Sequence, residues 1–325
     1  KSTIYNVLMT DPMLEYVLLI GDVDGFAEFP SFYYGPENDV TDQEYTHLLG
    51  DDVVPDVFIG RLSIDSLSEL AVIMSKTIQY ARNPLAYDQN WLDRGLIVAG
   101  NYANTYPIPI TPKWTSYWLR DELLNYGFSE VDTVFYPPLQ QGAPYIIPAI
   151  NEGVGIVNYR GWGDANGWHK PLFHREEVEQ LNNGWDLPIV LSFVCNTGDF
   201  GNDYSGVGLD KCFGETLVTA GSTTNPKGAV AMVGPSDLDT DTRFNNVLCG
   251  ALWDDMLEGR EDELAPALHV GKQAVAHEFD GLEVNGTNIA EFYHHVYGVL
   301  GPYQVRCRHA DESICMSGVA SSQER

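Results

Sequence analysis

The chain has 325 residues, 44% hydrophobic and 12% aromatic. That is enough apolar content for a real core in one large or two small domains, and it excludes a disordered chain. The formal net charge of −28 at pH 7 argues against nucleic acid and anionic membranes as partners. No apolar run reaches the roughly 18 residues of a membrane-spanning helix.

Taken in order, Tyr16–Ile20 (YVLLI) reads as a strand closing on Gly21-Asp22-Val23-Asp24-Gly25. Two aspartates in such a turn more often cap or make Asx turns than bind a cation. Residues 26–56 read as a long loop with a short hairpin. Val57–Leu62 is a second strand, and Ser66–Ala81 is an amphipathic helix with Ser66 as its N-cap. Asn83-Pro84 breaks that helix and marks a subdomain boundary. Beyond it, Arg94–Ala99 and Val131–Tyr136 are strands, and Lys113–Tyr126 is a helix ended by Gly127. Pro144–Glu152 is a short helix, Gly155–Tyr159 and Pro188–Val194 are buried parallel strands, and 213–221 is a helix. Ala229–Val233 and Thr242–Leu257 continue the alternation as strand and helix. Strand–helix alternation of this kind predicts an α/β fold with a mainly parallel sheet flanked by helices.

The division expected is a smaller α/β subdomain over 1–85, the main subdomain over 86–301, and a disordered or non-native tail over 302–325. The chain begins at Lys1 rather than Met, which reads as a piece of a longer precursor.

The five cysteines, Cys195, Cys212, Cys249, Cys307 and Cys315, match no zinc spacing and no disulfide scaffold. Cys212 and Cys249 sit in apolar helical contexts and read as core. Cys195 differs. It follows a buried strand, where loops at the carboxyl ends of parallel strands build sites, and Gly198 permits a tight turn there. A thiolate nucleophile needs a nearby imidazole or helix N-terminus. His169 and His174 are the nearby histidines, and His169 gains weight because its loop leaves the same sheet edge. Glu215 is noted beside these. Asp237, Asp239 and Asp241 alternate after a strand, a cation-site candidate or a plain acidic turn, but not an EF-hand, whose glycine and distal glutamate are missing. Asn285-Gly286-Thr287 fits a glycosylation sequon.

The segments GVGIVNYRGWGDANGW, LPIVLSFVCNTGDF and CFGETLV, with DVFIGRLSIDSLSEL, LIVAG and KGAVAMVGPS, resemble the catalytic domain of the gingipain family of cysteine endopeptidases. The resemblance runs in order over most of 16–300. It implies a caspase-like α/β domain with a smaller α/β subdomain before it, in a secreted bacterial protease commonly holding calcium. It implies that Cys195 is the nucleophile and that the N–H groups of Gly163 and Cys195 form the oxyanion hole. The family's general base is the histidine of a Gly/Ala-His-Gly turn. Here that turn is Gly161-Trp162-Gly163, so Trp162 occupies the base position, and tryptophan cannot accept the thiol proton. The acidic residue the family places just past LIVAG is likewise replaced, by Asn101 and Tyr102.

Two readings follow. In one, the protein is a cysteine endopeptidase hydrolysing peptide bonds through a Cys195 thiolate and an acyl-enzyme, with His169 supplying the imidazole from the same loop. In the other, it is a catalytically impaired pseudo-protease acting as a binding or adhesion module. The expected partner is a protein or peptide substrate. The acidic stretches are compatible with a basic P1 residue, which the family also suggests. No cofactor is required for the chemistry, structural calcium is compatible, and the metal ligands are not readable. The setting expected is extracellular or cell-surface. A nucleotide-binding α/β protein is the weakest reading, because the Gly153–Gly155 pair precedes its strand and no Walker-type lysine follows.

Overall fold

The computed structural model describes residues 1–50, 52–88, 90–101, 111–137, 142–201, 210–302 and 306. Eight strands form one sheet: β1 (Tyr16–Ile20), β2 (Phe58–Leu62), β3 (Arg94–Gly100), β4 (Glu130–Tyr136), β5 (Ile156–Arg160), β6 (Ile189–Phe193), β7 (Ala231–Pro235) and β8 (Tyr297–Leu300). Their spatial order is β1-β2-β8-β7-β6-β5-β3-β4. The run from β4 to β7 is parallel throughout. β8 pairs antiparallel with β7 and parallel with β2, and β1 is parallel to β2. The mainly parallel sheet expected from the alternation is present, and β5 and β6 are parallel neighbours. The sequence reading assigned no element to 297–300, the four-residue strand that reverses direction and ties β1 and β2 to the rest.

The central strands are buried on both faces, so their sequences are nearly continuous apolar runs. The two faces still separate by side chain. Ile97, Leu191, Phe193 and Val233 pack into one core with helices α3 (Thr111–Tyr126), α6 (Thr242–Leu257) and α7 (Leu264–Glu278). Leu96, Val98, Val157, Tyr159 and Val190 pack into the other, with α4 (Ala143–Glu152) and α5 (Phe213–Thr219). Helix α2 (Leu67–Arg82) starts at Ser66, whose hydroxyl accepts the Glu69 amide. Cys212 and Cys249 are fully buried, as their apolar contexts predict.

Five further elements were not anticipated. Helix α1 (Ser2–Thr10) buries none of its residues, although Ile4, Val7 and Leu8 fall at helical spacing along it. Helices α7 and α8 (Ile289–Val296) carry buried Lys272 and His294 among their core positions. The stretch 163–174, read as a loop, is a three-stranded antiparallel meander over 163–164, 167–169 and 172–174. Asn285-Gly286 forms the turn of a small hairpin between 283–284 and 287–288, both residues in the left-handed region; Asn-Gly is the favoured pair for such turns. The short hairpin expected within 26–56 pairs 32–34 with 39–41.

Most of the tail lies outside the described residues, as do Cys307 and Cys315. Arg306 is described: it ion-pairs with Asp262 and Glu263, each at 3.0 Å, and its carbonyl accepts the Tyr80 hydroxyl at 2.8 Å.

Glu215, at the start of α5, is fully buried between the strand sets. Its carboxyl meets the Ser63 hydroxyl at 2.7 Å, which lies 3.0 Å from Asp22, and it accepts the Cys212 amide at 2.7 Å. Burial, then the charge of Asp22, pushes its pKa up to about 8, against the pull of Ser63, the Cys212 amide and Lys211. Asp22 is raised too, chiefly by burial. The sign follows directly. Below its ordinary value of 4.5, Glu215 is protonated folded or unfolded, and its contribution is fully present. Between that value and about 8 only the folded state keeps the proton, so stability falls as pH rises, by up to about 1.4 kcal/mol per pH unit from such a group. Glu215→Gln mimics the protonated acid. Melting temperatures measured from pH 5 to 8 should fall more steeply for wild type than for Glu215→Gln; parallel curves would refute this account.

Candidate active site

β5 and β6 pair in register with Arg160 opposite Phe193, so the chain leaves the two strands side by side at one sheet edge. The Gly161–Gly163 turn follows the first strand and Cys195 the second. Contact between the two loops is direct: a Cβ on Gly163 would lie 3.5 Å from a Val194 methyl. Arg160, 1% exposed, clamps the edge from below. Its guanidinium donates to the Phe193 carbonyl at 2.6 Å and the Thr242 carbonyl at 3.1 Å, and to the Asn246 side chain.

The Cys195 loop is closed by backbone bonds to the segment after β7. Asn196 N–H donates to the Asp237 carbonyl and Gly198 N–H to the Pro235 carbonyl, both at 2.8 Å. The left-handed residue of the turn is Asn196, at φ +52°. Gly198 serves close approach: a Cβ there would meet the Gly234 carbonyl at 2.7 Å.

The Cys195 thiol donates to the Thr240 carbonyl at 3.4 Å and lies 3.3 Å from the Thr240 hydroxyl oxygen, whose proton goes to the Val194 carbonyl at 2.6 Å. Burial, with smaller contributions from the charges of Asp237 and Asp239, pushes it up to about 11, against the Thr240 hydroxyl and the Arg160 charge. Among the described residues no imidazole bonds to it.

The meander places the other candidates. Alternation along its strands sends Trp168 and Phe173 inward, where Trp168 stacks on Tyr159 with centroids 4.4 Å apart and donates to Ser192 Oγ at 2.9 Å. The opposite face carries Trp162, Asp164, His169 and His174. His169 is the cross-strand neighbour of Trp162: its amide donates to the Trp162 carbonyl at 2.9 Å and the rings lie 4.5 Å apart. One imidazole nitrogen, Nε2, meets Asp164 Oδ2 at 2.9 Å, and the other, Nδ1, meets His174 Nε2 at 2.9 Å. The bonding pattern assigns the protons. Carboxylate can only accept, so His169 donates from Nε2 and accepts at Nδ1, and His174 donates from Nε2. Burial raises the cost of the Asp164 charge, but the bonds from His169 and the Asn166 amide outweigh it and hold this carboxyl below its usual range. Burial and the neighbouring His169 lower His174.

The structure thus brings Trp162, Gly163 and Cys195 to one edge and sets His169 beside Trp162. His169 is bonded to Asp164 and His174. Asp164 and the His174 link were not read from sequence; period-2 alternation over 162–169 was the available signal, and the short strands hid it. Asn101, at the end of β3, donates its amide to the Tyr136 carbonyl at 2.9 Å, and its side-chain Oδ1 is buried without a hydrogen-bond partner among the described residues. Tyr102 lies outside the described residues. Glu37, Asp39, Asp237, Asp239 and Asp241 line a cavity of about 210 Å³ beyond the Thr240 turn, whose charge attracts cations and cationic side chains.

The family model described as peptidase family C25 matches residues 2–301. Gingipain R2 of Porphyromonas gingivalis is 29% identical over 247 residues, covering 73% of this chain and 31% of that protein. Lys-gingipain of the same organism is 28% identical over 223 residues, covering 68% of this chain and 12% of that protein. The chain therefore spans less than a third of the length of these relatives. The crystal structure of the Arg-specific cysteine proteinase gingipain R superposes with a TM-score of 0.79 at 24% identity, over 94% of this chain and 67% of that one. A likeness at that identity speaks for the fold, caspase-like with its helix-flanked parallel sheet, while the family match extends over nearly all of the described chain. By that match the chain belongs to peptidase family C25, a family of cysteine-type peptidases.

Proposed function

We propose that the domain hydrolyses peptide bonds through Cys195 and an acyl-enzyme, with His169 as general base and Asp164 as the group that orients it. The observation that carries this is the position of the Asp164–His169 pair. It lies on the exposed face of the meander, one ring from Trp162, and replaces both the family's histidine and its missing acid. A base held by a third group is the general logic of activated nucleophiles. In the resting state the thiol is protonated and bonded to Thr240. Catalysis requires His169 to exchange its bond to His174 for one to the Cys195 thiol when a peptide occupies the edge. The imidazole then takes the thiol proton, the thiolate attacks the carbonyl carbon, and the oxyanion falls to the N–H groups of Gly163 and Cys195. The imidazolium returns the proton to the leaving amine, and water, deprotonated by the same ring, releases the acyl group.

The substrate class is protein or peptide, and the setting extracellular or cell-surface as part of a longer precursor. No helix among the described residues is long and apolar enough to cross a membrane. Structural calcium is proposed at Glu37, Asp237 and Asp239, whose carboxylate oxygens lie within 4.8 Å of one another, a hard-oxygen donor set that suits that ion.

A second reading, a binding module that keeps the fold without efficient cleavage, is favoured by the same resting thiol, raised and with no imidazole bonded to it among the described residues. Alkylation separates the two. A small neutral electrophile should label folded wild type slowly at pH 7 and faster as pH rises toward 11, because the thiolate is the reacting form. A peptide-like electrophile should label Cys195 faster at pH 7, and Cys195→Ala should lose the label. If the peptide-like reagent gains nothing over the small one, the binding module is the correct reading.

A further inference from the structure

Half of the chain's eight histidines gather with Lys272 where the 39–47 segment meets helices α7 and α8. The rings of His269 and His294 lie 5.9 Å apart, and those of His47 and His295 6.2 Å apart. We propose that this seam is an acid-released latch: protonation of His294 and His295 detaches the 39–47 segment from α8 and removes the support it gives the nucleophile loop. The latch is independent of whether the domain cleaves peptides; that its release silences the site rests on the peptidase reading above.

The bonding fixes where protons sit. The Lys272 ammonium, 5% exposed, donates to the His294 carbonyl at 2.8 Å and to Gln43 Oε1 at 3.3 Å. An ammonium only donates, so the Gln43 amide turns its NH₂ toward His47 Nε2, 3.1 Å away, and that nitrogen accepts. Thr41 Oγ1 donates to the His295 carbonyl at 2.7 Å. These bonds tie the segment to both helices. His294 Nδ1 donates to the Ala290 carbonyl at 2.8 Å, which leaves Nε2 as a bare lone pair, buried and without a hydrogen-bond partner among the described residues. His295 Nδ1 is likewise buried and unpartnered among them, with its ring stacked on Tyr34 at 4.0 Å. A second proton on either ring becomes a buried charged donor with no acceptor.

Among the described residues no carboxylate is bonded to His294 or His295. The acids facing the seam are Asp42, Glu44 and Glu291. Asp42 pairs with Arg61 at 2.7 Å, and Glu291 is bonded to the Tyr34 hydroxyl. Glu44 pairs with Lys1 at 3.1 Å and stands 3.8 Å from His47 Nδ1. Burial, then the Lys272 charge, lowers His269 to about 3 and His294 to about 4. Burial lowers His295 to about 4 as well, with Glu44 opposing and Lys272 adding. A detached histidine titrates at about 6.5. Above that value neither state is charged, and the latch holds in full. Between about 6.5 and 4 only the detached state takes the protons, so the closed state weakens as pH falls. Lys272, lowered by burial to about 7, is charged through that window and repels them. Glu215 has the opposite sign but bonds to Ser63 and the Cys212 amide, off this seam.

The nucleophile loop rests on the same seam. The Arg61 guanidinium lies 4.7 Å from the Phe200 ring, a Cβ on Gly201 would meet Val40 Cβ at 2.8 Å, and the Ser236 amide donates to the Val296 carbonyl at 2.9 Å. A cavity of about 60 Å³, lined by Gln43, His269, Lys272 and His295 on one side and Gly198 and Phe200 on the other, gives water a place to enter as the latch opens.

The test is hydrogen exchange of the whole chain, read by mass spectrometry at pH 7, 5.5 and 4.5 and corrected for the intrinsic pH dependence of exchange. Between pH 7 and 4.5, protection over 39–47 and 289–296 should fall by about 10–100-fold for each of the two histidines. Residues 156–160 and 189–193 should keep theirs, and the loss should reverse at pH 7. His294→Asn still donates to Ala290 but takes no charge, and His295→Gln is its counterpart. In each, the ratio of protection at pH 7 to that at pH 4.5 should be at least about 10-fold smaller than in wild type, whatever its protection at pH 7. His277→Gln, at a side chain 86% exposed, should follow wild type. Equal loss across the whole sheet, or His294→Asn and His295→Gln following wild type, would overturn the latch. The pH midpoint for labelling Cys195 with a peptide-like electrophile should move down in His294→Asn; an unmoved midpoint would overturn the link to the site. If wild type takes no such label at pH 7, the peptidase reading fails, while the exchange pattern still decides the latch.

Discussion

His169→Ala should lower kcat/KM for Cys195-dependent peptide hydrolysis by about 10²–10⁴, the usual worth of a positioned general base. The expectation rests on what surrounds the two groups. Cys195 is held up at about 11 by burial and by Asp237 and Asp239, so at neutral pH almost no thiolate forms without a proton acceptor. Trp162 cannot supply one. His169 stands beside Trp162 and is oriented by Asp164. Trp162→His puts an imidazole at the position the related peptidases use. Trp162 is 45% exposed, so the replacement should leave the fold intact. Activity should rise in that variant and survive His169→Ala in the double variant. Wild type and the three variants would be compared on a mixed peptide library, with and without calcium. Activity unchanged in His169→Ala would show the base lies elsewhere. Cleavage by Trp162→His alone would identify the natural domain as a binding module.

Arg61→Ala should destabilise the protein by about 3–5 kcal/mol, as the removal of one partner of a buried ion pair does. Arg61 is 1% exposed. Its guanidinium makes two bonds of 2.7 Å to Asp42 and donates to the carbonyls of Gly21 at 2.7 Å and Phe29 at 3.0 Å. It also lies 4.7 Å from the Phe200 ring, so one side chain fastens β1, the 26–42 segment and the nucleophile loop together. Without it the Asp42 carboxylate is left without its counter-ion, and the buried Gly21 and part-buried Phe29 carbonyls lose a donor. Melting temperature should drop on the order of 10 °C at about 2–4 °C per kcal/mol. Arg61→Ala with Asp42→Ala should be less destabilised than Arg61→Ala alone, because no unpaired charge remains. Equal losses in the single and double variants would mean that packing against Phe200, and not the ion pair, is the main term.

Pattern alone determines much of this protein. Strand–helix alternation specifies a parallel sheet, because apolar runs too short for helices and separated by amphipathic segments bury only in that way. The Cys195 loop at a strand's carboxyl end is equally legible, since it is a matter of which residue follows which strand, while the reading of Trp162 as standing at a base position comes from the family resemblance and not from pattern. The tertiary structure alone decided how the edge is wired. The reversal at 297–300 depends on which strand a short apolar segment reaches, and four residues carry no directional signal. The Asp164–His169–His174 line depends on pairing across a meander whose strands are two or three residues long, too short for alternation to stand out from a loop. The state of the Cys195 thiol depends on Thr240, Asp237 and Arg160, distant in sequence and brought together by the closure of separate loops on one sheet edge. Local chemistry is written along the chain, whereas the partners of each reactive group are set by register and packing, which no single stretch contains.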